Sequence, residues 1–555
     1  MKYQYRMDCI VRLVLLVVSA TSVAMAASPH PHIVFIIADD LGWGDVGFHG
    51  SEISTPNIDA LAYSGIILNK YYVSPICSPT RSAIMTGRHP IHTGMQVGVI
   101  GEATPYGLPL NETIMPQHLE TLGYRRHIVG KWHLGFFTEP YLPTRRGFES
   151  FLGYYTGKED YFDHEANQGS MYGLDFHRNE DTLWDVNGNF STDMYTAEAE
   201  KVIKDHDPSE PLFLYLAQQS VHAGNGVDPL QVPQKYIERF THKIKDVKRR
   251  IFAGMVSALD DSVGRVVAAL RDTGLMDNTI IVFTTDNGGP TNGYDGNAAC
   301  NWPLRGVKNT MWEGGVRGVG LINSPLLGNN SYISNNFFHV TDWLPTLFHA
   351  AGGDPSTLNM QDGFDMLDML KENGPEIRTD VLHNIDPVNK FAAIRAGDYK
   401  LVMGHISKND NSWYPPPQLS ENLGESKLDT RLTFSSEREF SLQSQNQNVH
   451  IFHSASEENK IHEYSKFQGS PILVQCGQKP LNASFNCVPE KSPCLFHIPS
   501  DPCEFNNVAG SNPDIVQQLL KRLDQYRSTM VAPNNKPIDP NGDPAKHGGE
   551  WRPWK

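Results

Sequence analysis

The sequence predicts an α/β fold with a large, mixed but mostly parallel sheet flanked by helices, followed by a smaller C-terminal antiparallel sheet and a helix. Apolar, β-branched runs favour the large sheet, because strands of parallel sheets are buried on both faces. A hairpin pattern beyond residue 385 favours the second sheet. The 555 residues suffice for two domains. We predict a signal peptide over residues 1–26, a large domain over 27–385 and a C-terminal domain over 386–555.

The first strand is predicted at residues 32–38, where every residue after His32 is apolar. A long helix is predicted at residues 248–272, because apolar residues recur there at helical spacing and form a stripe for core packing. The other predicted strands are residues 123–130, 211–217, 279–285 and a strand that follows Arg317, and the other predicted helices are residues 55–62, capped by Thr55, and 337–351.

The C-terminal part is predicted from three segments. Residues 392–403 predict a hairpin that turns at Gly397-Asp398, which indicates an antiparallel sheet. Residues 407–467 are rich in Ser, Asn, Gln and Glu with weak periodicity, so we expect a partly disordered, flexible insertion. Residues 514–526 predict a final amphipathic helix.

The N-terminus has the features of a secretory signal peptide. Basic residues precede an apolar run at residues 13–18, and small residues lead to a cleavage site after Ala26. That run is too short to span a bilayer, and no later stretch is long enough, so we expect no membrane span in the mature chain. Four sequons agree with passage through the secretory pathway, and they predict glycosylation at Asn111, Asn189, Asn329 and Asn482.

The net charge of −15 argues against nucleic acid as a partner, because binding to phosphates needs a basic surface. The 22 histidines change this balance in an acidic compartment. If they were protonated, the surface would become cationic, which suits a polyanionic substrate.

An anion-binding helix start is predicted at Cys77-Ser-Pro-Thr-Arg81, which continues to Thr-Gly-Arg88. Ser78 or Thr80 could cap the helix, and the fixed φ of Pro79 suits a first turn. The amides of that turn and the guanidinium of Arg81 would surround whatever Cys77 carries. The stretch therefore predicts a nucleophile in an oxyanion-binding site.

A disulfide at Cys77 is the alternative. Without Cys9 of the signal peptide, six of the seven cysteines remain, and an even count in a secreted chain favours pairing. The last four cysteines form a cluster that allows three connectivities. We favour the pairs Cys476–Cys487 and Cys494–Cys503.

Two predicted strands end in acidic or amide residues. Asp39-Asp40 follow the first strand, and Asp286-Asn287 follow the strand at residues 279–285. The carboxyl edge of an open α/β sheet is where ligands bind, and four oxygen ligands favour Ca²⁺ or Mg²⁺ over Zn²⁺. A turn with an Asx cap would explain one such Asp comfortably and two less well.

Basic side chains follow other predicted strands of the large sheet. Lys131 and His133 lie two residues apart, so in an extended segment they would point the same way. The alternative for this pair is a surface lysine and a core histidine. His222 follows the strand at 211–217, and Lys308 is a candidate contact for an anionic group.

With these residues the chain resembles the sulfatase family, most closely the arylsulfatase B group with its I and J relatives. The resemblance covers nearly the whole mature chain, and the C-x-P-x-R…T-G-R signature at Cys77 is specific. It implies an alkaline-phosphatase-like fold and a cysteine oxidised to formylglycine by the formylglycine-generating enzyme during secretion. Cys77 would then not pair, which leaves Cys300 as the odd cysteine. It further implies one Ca²⁺ per chain held by Asp39, Asp40, Asp286 and Asn287, with Arg81, Lys131, His133, His222 and Lys308 around the sulfate.

The resemblance also implies a covalent mechanism. The hydrated aldehyde, a gem-diol, attacks sulfur and forms a sulfo-enzyme intermediate, while Ca²⁺, Lys131 and Lys308 stabilise the sulfuryl oxygens. His222, with Lys308, protonates the leaving oxygen, and His133 or a neighbouring base removes the second hydroxyl proton to expel sulfate.

The expected substrate is an aryl sulfate or a sulfated glycan, specifically the N-acetylgalactosamine 4-sulfate units of dermatan or chondroitin sulfate. The expected location is the lysosome or the extracellular space. Two alternatives stay open: a secreted pseudoenzyme that binds sulfated glycans without turnover, and a phosphatase or phosphodiesterase of the same superfamily. The latter enzymes need a Ser or Thr nucleophile and a pair of Zn²⁺ ions.

Overall fold

A computed structural model describes residues 28, 30–225, 228–328, 331–358, 362–407, 410–417 and 471–555. The predicted signal peptide, Asn329 and most of the predicted insertion at 407–467 lie outside these residues. Within them, no helix is both long enough and apolar enough to cross a membrane. The side chains of the three described sequon asparagines, Asn111, Asn189 and Asn482, are exposed.

The strands are β1 (His32–Ala38), β2 (Ile66–Tyr72), β3 (Arg125–Lys131), β4 (Ser150–Tyr154), β5 (Glu165–Gln168), β6 (Met171–Leu174), β7 (His177–Arg178), β8 (Asp181–Thr182), β9 (Leu212–Ala217), β10 (Thr279–Thr285), β11 (Gly320–Asn323), β12 (Tyr332–His339), β13 (Asp380–Asp386), β14 (Phe391–Ala396), β15 (Tyr399–Gly404) and β16 (Cys494–His497). The α-helices are α1 (Pro56–Ser64), α2 (Cys77–Thr86), α3 (Pro90–Thr93), α4 (Met115–Glu120), α5 (Ser191–Asp205), α6 (Gln234–Glu238), α7 (Val247–Asp272), α8 (Glu313–Val316), α9 (Trp343–Ala350), α10 (Leu367–Glu372) and α11 (Pro513–Thr529).

Among the described residues, ten strands form one large sheet in the order β12-β2-β11-β10-β1-β9-β3-β4-β7-β8. The five neighbouring strands β10, β1, β9, β3 and β4 are parallel, whereas β11 and β7 run antiparallel to their neighbours. The predicted large, mixed but mostly parallel sheet is therefore confirmed.

The central strand β1 explains how this sheet is stabilised. All seven of its residues are buried. Ile33, Phe35 and Ile37 pack into the core on one face, whereas Val34 and Ile36 pack on the other face, where the long helix α7 lies. Because both faces are covered, the strand needs no polar side chains, as its sequence predicts.

The small sheet consists of β13, β14, β15 and β16, all antiparallel, and α11 packs against it. The predicted hairpin is present, with β14 ending at Ala396 and β15 beginning at Tyr399. The domain boundary at residue 385 stays a prediction, and β13 already belongs to the small sheet.

The favoured disulfide pairing is wrong. The disulfides are Cys476–Cys503 and Cys487–Cys494. Each pair is buried in a separate apolar cluster: Cys476–Cys503 packs with Trp413, and Cys487–Cys494 packs beside the small sheet. Cys487 and Cys494, which are nearest in sequence at a separation of 7, do pair, whereas Cys476 pairs with Cys503 across a separation of 27, so proximity in sequence predicts only one of the two pairs.

The helix predicted at residues 337–351 begins later. Phe337, Phe338 and His339 belong to β12 and pair with β2, and the α-helix begins only at Trp343. The apolar run is common to both elements, so periodicity could not separate strand from helix. The predicted cap at Thr55 is also absent, because its hydroxyl donates to Asp59 Oδ1 instead of binding a backbone amide of the helix.

A buried histidine gives the fold a testable pH dependence. His49 stacks on Trp43 at 3.7 Å, and its Nδ1 lies 2.9 Å from the Trp43 carbonyl oxygen. Its Nε2 is buried without a partner. Burial lowers the pKa of His49 to about 3. The unfolded chain therefore binds a proton that the folded chain does not, and stability falls as the pH drops below the unfolded pKa of about 6.5.

We expect the free energy of unfolding of the wild type to fall by about 2 kcal/mol more than that of His49→Asn between pH 7 and pH 5. Asparagine can still donate to the Trp43 carbonyl but carries no titrating group. Chemical denaturation at the two pH values measures the difference. The exposed His242 provides the control variant His242→Asn, which should keep the wild-type pH slope. Equal slopes for His49→Asn and the wild type would contradict the prediction.

Candidate active site

The ends of two adjacent strands form the floor of the site. Ala38 of β1 lies opposite Thr285 of β10, so the residues that follow each strand meet. The Asp40 amide donates to Asp286 Oδ1 over 3.3 Å, and Asn287 Nδ2 donates to Asp40 Oδ1 over 2.6 Å. Asp40 has a φ of 61°, in the left-handed region, which strains a residue other than glycine. The four side chains predicted to meet at this edge do so, and all are buried.

Helix α2 brings Cys77 to this floor. Cys77 is the first helical residue, every residue of α2 is buried, and Cys77 Sγ lies 3.8 Å from Asp39 Oδ1. The helix ends at Gly87, whose φ of 63° allows its amide to bind the Ala83 carbonyl. The glycine of the T-G-R sequence is therefore a helix C-cap.

The predicted caps of α2 are wrong, because no side chain caps the helix. Ser78 Oγ instead accepts from the Ile100 amide, and Thr80 Oγ1 accepts from the Ser74 amide, so both hydroxyls bind neighbouring loops. Pro79 does lie in the first turn, as predicted.

The disulfide alternative for Cys77 is also wrong. Cys77 and Cys300 are both free and buried. Burial raises the pKa of the Cys77 thiol far above its ordinary value, and Lys131 and Lys308 only partly oppose this. The unmodified thiol is therefore protonated and a poor nucleophile.

Arg81 and Lys131 neutralise the acidic floor. Arg81 Nε and Nη2 donate to Asp286 Oδ2 over 3.2 and 2.9 Å, and Lys131 Nζ donates to Asp39 Oδ2 over 2.6 Å. Burial alone would raise the pKa of Asp286, but Arg81 and Lys131 outweigh it and lower that pKa. Arg81 Nη1 is buried without a partner and is available to an anion.

Lys308 and His222 form a second contact with the floor. Lys308 Nζ donates to Asp40 Oδ2 over 2.8 Å and lies 3.2 Å from His222 Nε2. His222 Nδ1 lies 2.7 Å from the Ala223 carbonyl, which fixes the ring with Nε2 toward Lys308. Burial opposes the charge of Lys308, but Asp40 and Asp295 outweigh it and raise the pKa of Lys308.

His133 reaches the site by a turn of the chain. Its φ is 54°, so the extended geometry predicted for Lys131–His133 is wrong. Nε2 lies 3.0 Å from the Ile100 carbonyl, and Nδ1 is buried with no hydrogen-bond partner among the described residues. Burial, with Lys131 and Arg81, lowers the pKa of His133 well below its ordinary value. His133 is therefore a neutral base with a free lone pair.

The floor can hold a metal ion. Ligand atoms of Asp39, Asp40, Cys77 and His222 all lie within 4.8 Å of one another. Asn287 Oδ1 is a buried acceptor to which no donor of the described part of the chain is bonded. Adjacent carboxylates and a free amide oxygen fit a hard cation, which prefers oxygen ligands.

A cavity of about 270 Å³ opens above this floor and reaches Cys77, His133 and His222. Its wall contains six polar or aromatic side chains that sequence reasoning missed, namely Glu102, Thr104, Lys158, Gln168, Tyr294 and Asp295.

Asp295 links the wall to the floor. Its Oδ2 lies 3.1 Å from Lys308 Nζ and 3.4 Å from His222 Nε2, and its Oδ1 lies 3.1 Å from Lys158 Nζ. Burial opposes the charge, but Lys308 and His222 outweigh it and lower the pKa of Asp295. The sequence signal for this residue was the glycine-rich loop after Asn287. Glu102 and Gln168 lie far from any recognisable pattern.

Comparisons with known proteins agree with this site. Residues 31–353 match the family model described as Sulfatase. Arylsulfatase J of Mus musculus is 38% identical over 550 residues, which are 95% of this chain and 81% of that protein. N-acetylgalactosamine-6-sulfatase of Mus musculus is 30% identical over 425 residues, which are 72% of this chain and 76% of that protein.

The fold agrees as well. The crystal structure described as Ps i-CgsB is 25% identical and covers 91% of this chain and 94% of that chain, with a TM-score of 0.67. The matched family model spans more than half of the chain, and its region contains the whole floor of the cavity. The chain therefore belongs to the sulfatase family and is an arylsulfatase-type sulfuric ester hydrolase.

Proposed function

We propose that this protein removes sulfate from a sulfated glycan, and that its substrate is the N-acetylgalactosamine 4-sulfate unit of dermatan or chondroitin sulfate. One observation carries the proposal: Cys77 stands at the start of a buried helix, at the closed end of a cavity whose floor holds three carboxylates and three cationic side chains. The names N-acetylgalactosamine-6-sulfatase for a relative and "Ps i-CgsB in complex with k-i-k-neocarrahexaose" for a solved structure support a sugar substrate.

The proposed cofactors are formylglycine made from Cys77 by the formylglycine-generating enzyme, and one Ca²⁺. Asp39, Asp40, Asp286 and Asn287 would hold the ion. When present, the formylglycine would supply the nucleophile, and Ca²⁺ would stabilise negative charge on the sulfuryl oxygens. The free Asn287 Oδ1 supports this ligand set.

Three cationic side chains would bind the sulfate. Arg81 can donate from Nη1, which has no partner among the described residues. Lys131 holds Asp39 in place through an ion pair of 2.6 Å, and Lys308 holds Asp40 through one of 2.8 Å. Both lysines also act electrostatically on Cys77. The ion pairs with the acidic floor already hold these cations in position, so they need no reorganisation when charge develops in the transition state.

Two histidines would move the protons. His222 Nε2, beside Lys308, is positioned to protonate the leaving oxygen of the sugar. His133 Nδ1 has a lone pair and no partner, so it can accept the hydroxyl proton that must leave before sulfate is expelled. The two rings both border the cavity, which permits one acid and one base in a single turnover.

The alternatives have less support. A phosphatase with paired Zn²⁺ ions needs two sets of ligands, whereas the described residues offer one such cluster, made of Asp39, Asp40, Cys77 and His222. A pseudoenzyme would not need a free proton acceptor at His133. We further propose a lysosomal or secreted location, which the exposure of Asn111, Asn189 and Asn482 supports.

The test is desulfation of defined disaccharides at acidic and neutral pH. We expect the purified, converted enzyme to release sulfate from a disaccharide with N-acetylgalactosamine 4-sulfate faster than from its 6-sulfated isomer. Faster release of sulfate from the 6-sulfated isomer would reject N-acetylgalactosamine 4-sulfate as the preferred substrate. Binding of both disaccharides without any release, on protein whose Cys77 is fully converted, would support the pseudoenzyme instead.

A further inference from the structure

The cavity wall contains a donor and an acceptor that have no hydrogen-bond partner among the other described residues. Gln168 Oε1 accepts from the Glu102 backbone amide over 3.0 Å, which holds the Gln168 side chain beside the backbone of Glu102. No hydrogen bond from another described residue reaches the Glu102 carboxylate, and the Gln168 amide nitrogen donates to none of them. Both side chains line the cavity, so an acceptor and a donor face its interior together.

The space beside Glu102 is kept open by a glycine. A Cβ at Gly157 would lie 2.9 Å from His133 Nε2 and 3.5 Å from Glu102 Oε1. Any side chain at this position would fill the gap between the floor of the cavity and Glu102. A substrate whose sulfate reaches Cys77 can therefore place a neighbouring group against Glu102 and Gln168.

The charges of the wall favour a neutral group at that position. Lys158 is already paired with Asp295 at 3.1 Å, so the described lining residues offer a second anionic substituent no unpaired lysine or arginine. Burial raises the pKa of Glu102 to about 7, and Lys158 only partly opposes this, so a neighbouring anion would be a further unfavourable contact for the Glu102 carboxyl. A neutral group with one donor and one acceptor would satisfy both Glu102 and Gln168.

We propose that Glu102 and Gln168 form a specificity subsite for a neutral donor–acceptor substituent of the sulfated sugar, either an acetamido group or a pair of vicinal hydroxyls. This inference rests on the proposed function. Glu102 accepts the substrate N–H or O–H, and Gln168 donates to the substrate oxygen. Tyr294, which is 53% exposed at the rim, offers a ring face for the sugar.

The test compares three substrates: an aryl sulfate, galactose 4-sulfate and N-acetylgalactosamine 4-sulfate. The variants are Glu102→Gln and Gln168→Glu, which keep the size of each side chain. Gln168→Glu also keeps an oxygen for the Glu102 amide. We expect each variant to raise KM for the sugar sulfates about fivefold, the effect of one lost hydrogen bond to a neutral group of the substrate. We expect a smaller change for the aryl sulfate, which lacks the substituent.

Comparison of the two sugar sulfates distinguishes an acetamido group from a pair of vicinal hydroxyls. A larger rise in KM for N-acetylgalactosamine 4-sulfate than for galactose 4-sulfate identifies the acetamido group. An equal or larger rise for galactose 4-sulfate identifies the hydroxyls. The exposed Glu139 gives the control variant Glu139→Gln, which should change none of the three values. An equal rise in KM for the aryl sulfate and for the sugar sulfates would overturn the subsite. A converted wild-type enzyme inactive on all three substrates would instead contradict the proposed function.

Discussion

Cys77→Ala is expected to lower the hydrolysis of an aryl sulfate on the order of 10⁵-fold, the scale on which loss of a nucleophile acts. The physical reason is that the proposed mechanism needs a hydrated aldehyde at this helix start, and alanine supplies neither an aldehyde nor its precursor. The thiol alone cannot replace it, because burial raises the pKa of Cys77 and keeps it protonated. Release of the aryl alcohol, measured by absorbance, gives the result.

Cys300→Ala is the matched control, because Cys300 is also free and buried but lies outside the cavity. It should keep the wild-type kcat. Mass spectrometry of the peptide that contains Cys77 separates a failed conversion from a wrong mechanism. An unmodified cysteine in protein produced together with the formylglycine-generating enzyme, or retained activity in Cys77→Ala, would contradict the proposed chemistry.

The elements that the sequence predicts best are those with a single physical explanation. Strands β1 and β10 have the predicted bounds, because an uninterrupted β-branched run suits only a strand covered on both faces. Residues 337–339 were misassigned because an apolar run suits a buried helix equally well, and only pairing with β2 decides between them. The disulfide partners likewise depend on which core each cysteine enters, which no spacing reveals.

The floor of the site was predictable because parallel strands end at one edge. Asp39-Asp40 and Asp286-Asn287 follow neighbouring strands, so topology alone brings them together. Glu102 and Asp295 were not predictable in this way. They lie in loops whose path depends on packing against several other segments, and a single acidic residue in a loop most often has no role beyond solubility.

The proposed calcium site gives the second large expected effect, through the variant Asn287→Leu. Leucine has nearly the shape of asparagine but no oxygen, so the change removes one proposed ligand without altering the charge of the floor. The affinity for Ca²⁺ is expected to fall on the order of 100-fold, because a hard cation loses one of its few protein oxygens. Calorimetric titration of metal-depleted protein with Ca²⁺ measures this directly, without reference to turnover.

The Ca²⁺ concentration that restores activity should change in the same way as the Ca²⁺ affinity. After treatment with a chelator, Asn287→Leu should need on the order of 100-fold more Ca²⁺ than the wild type to regain half of its maximal rate. Asn336→Leu is the control, because Asn336 lies on β12 and donates to the Gly374 carbonyl instead of the floor. An Asn287→Leu protein that binds Ca²⁺ as tightly as the wild type would remove Asn287 from the ligand set. Asn287 Nδ2 also donates to Asp40 Oδ1, so a loss of activity with unchanged Ca²⁺ affinity would assign Asn287 to the positioning of Asp40, and through it of Lys308.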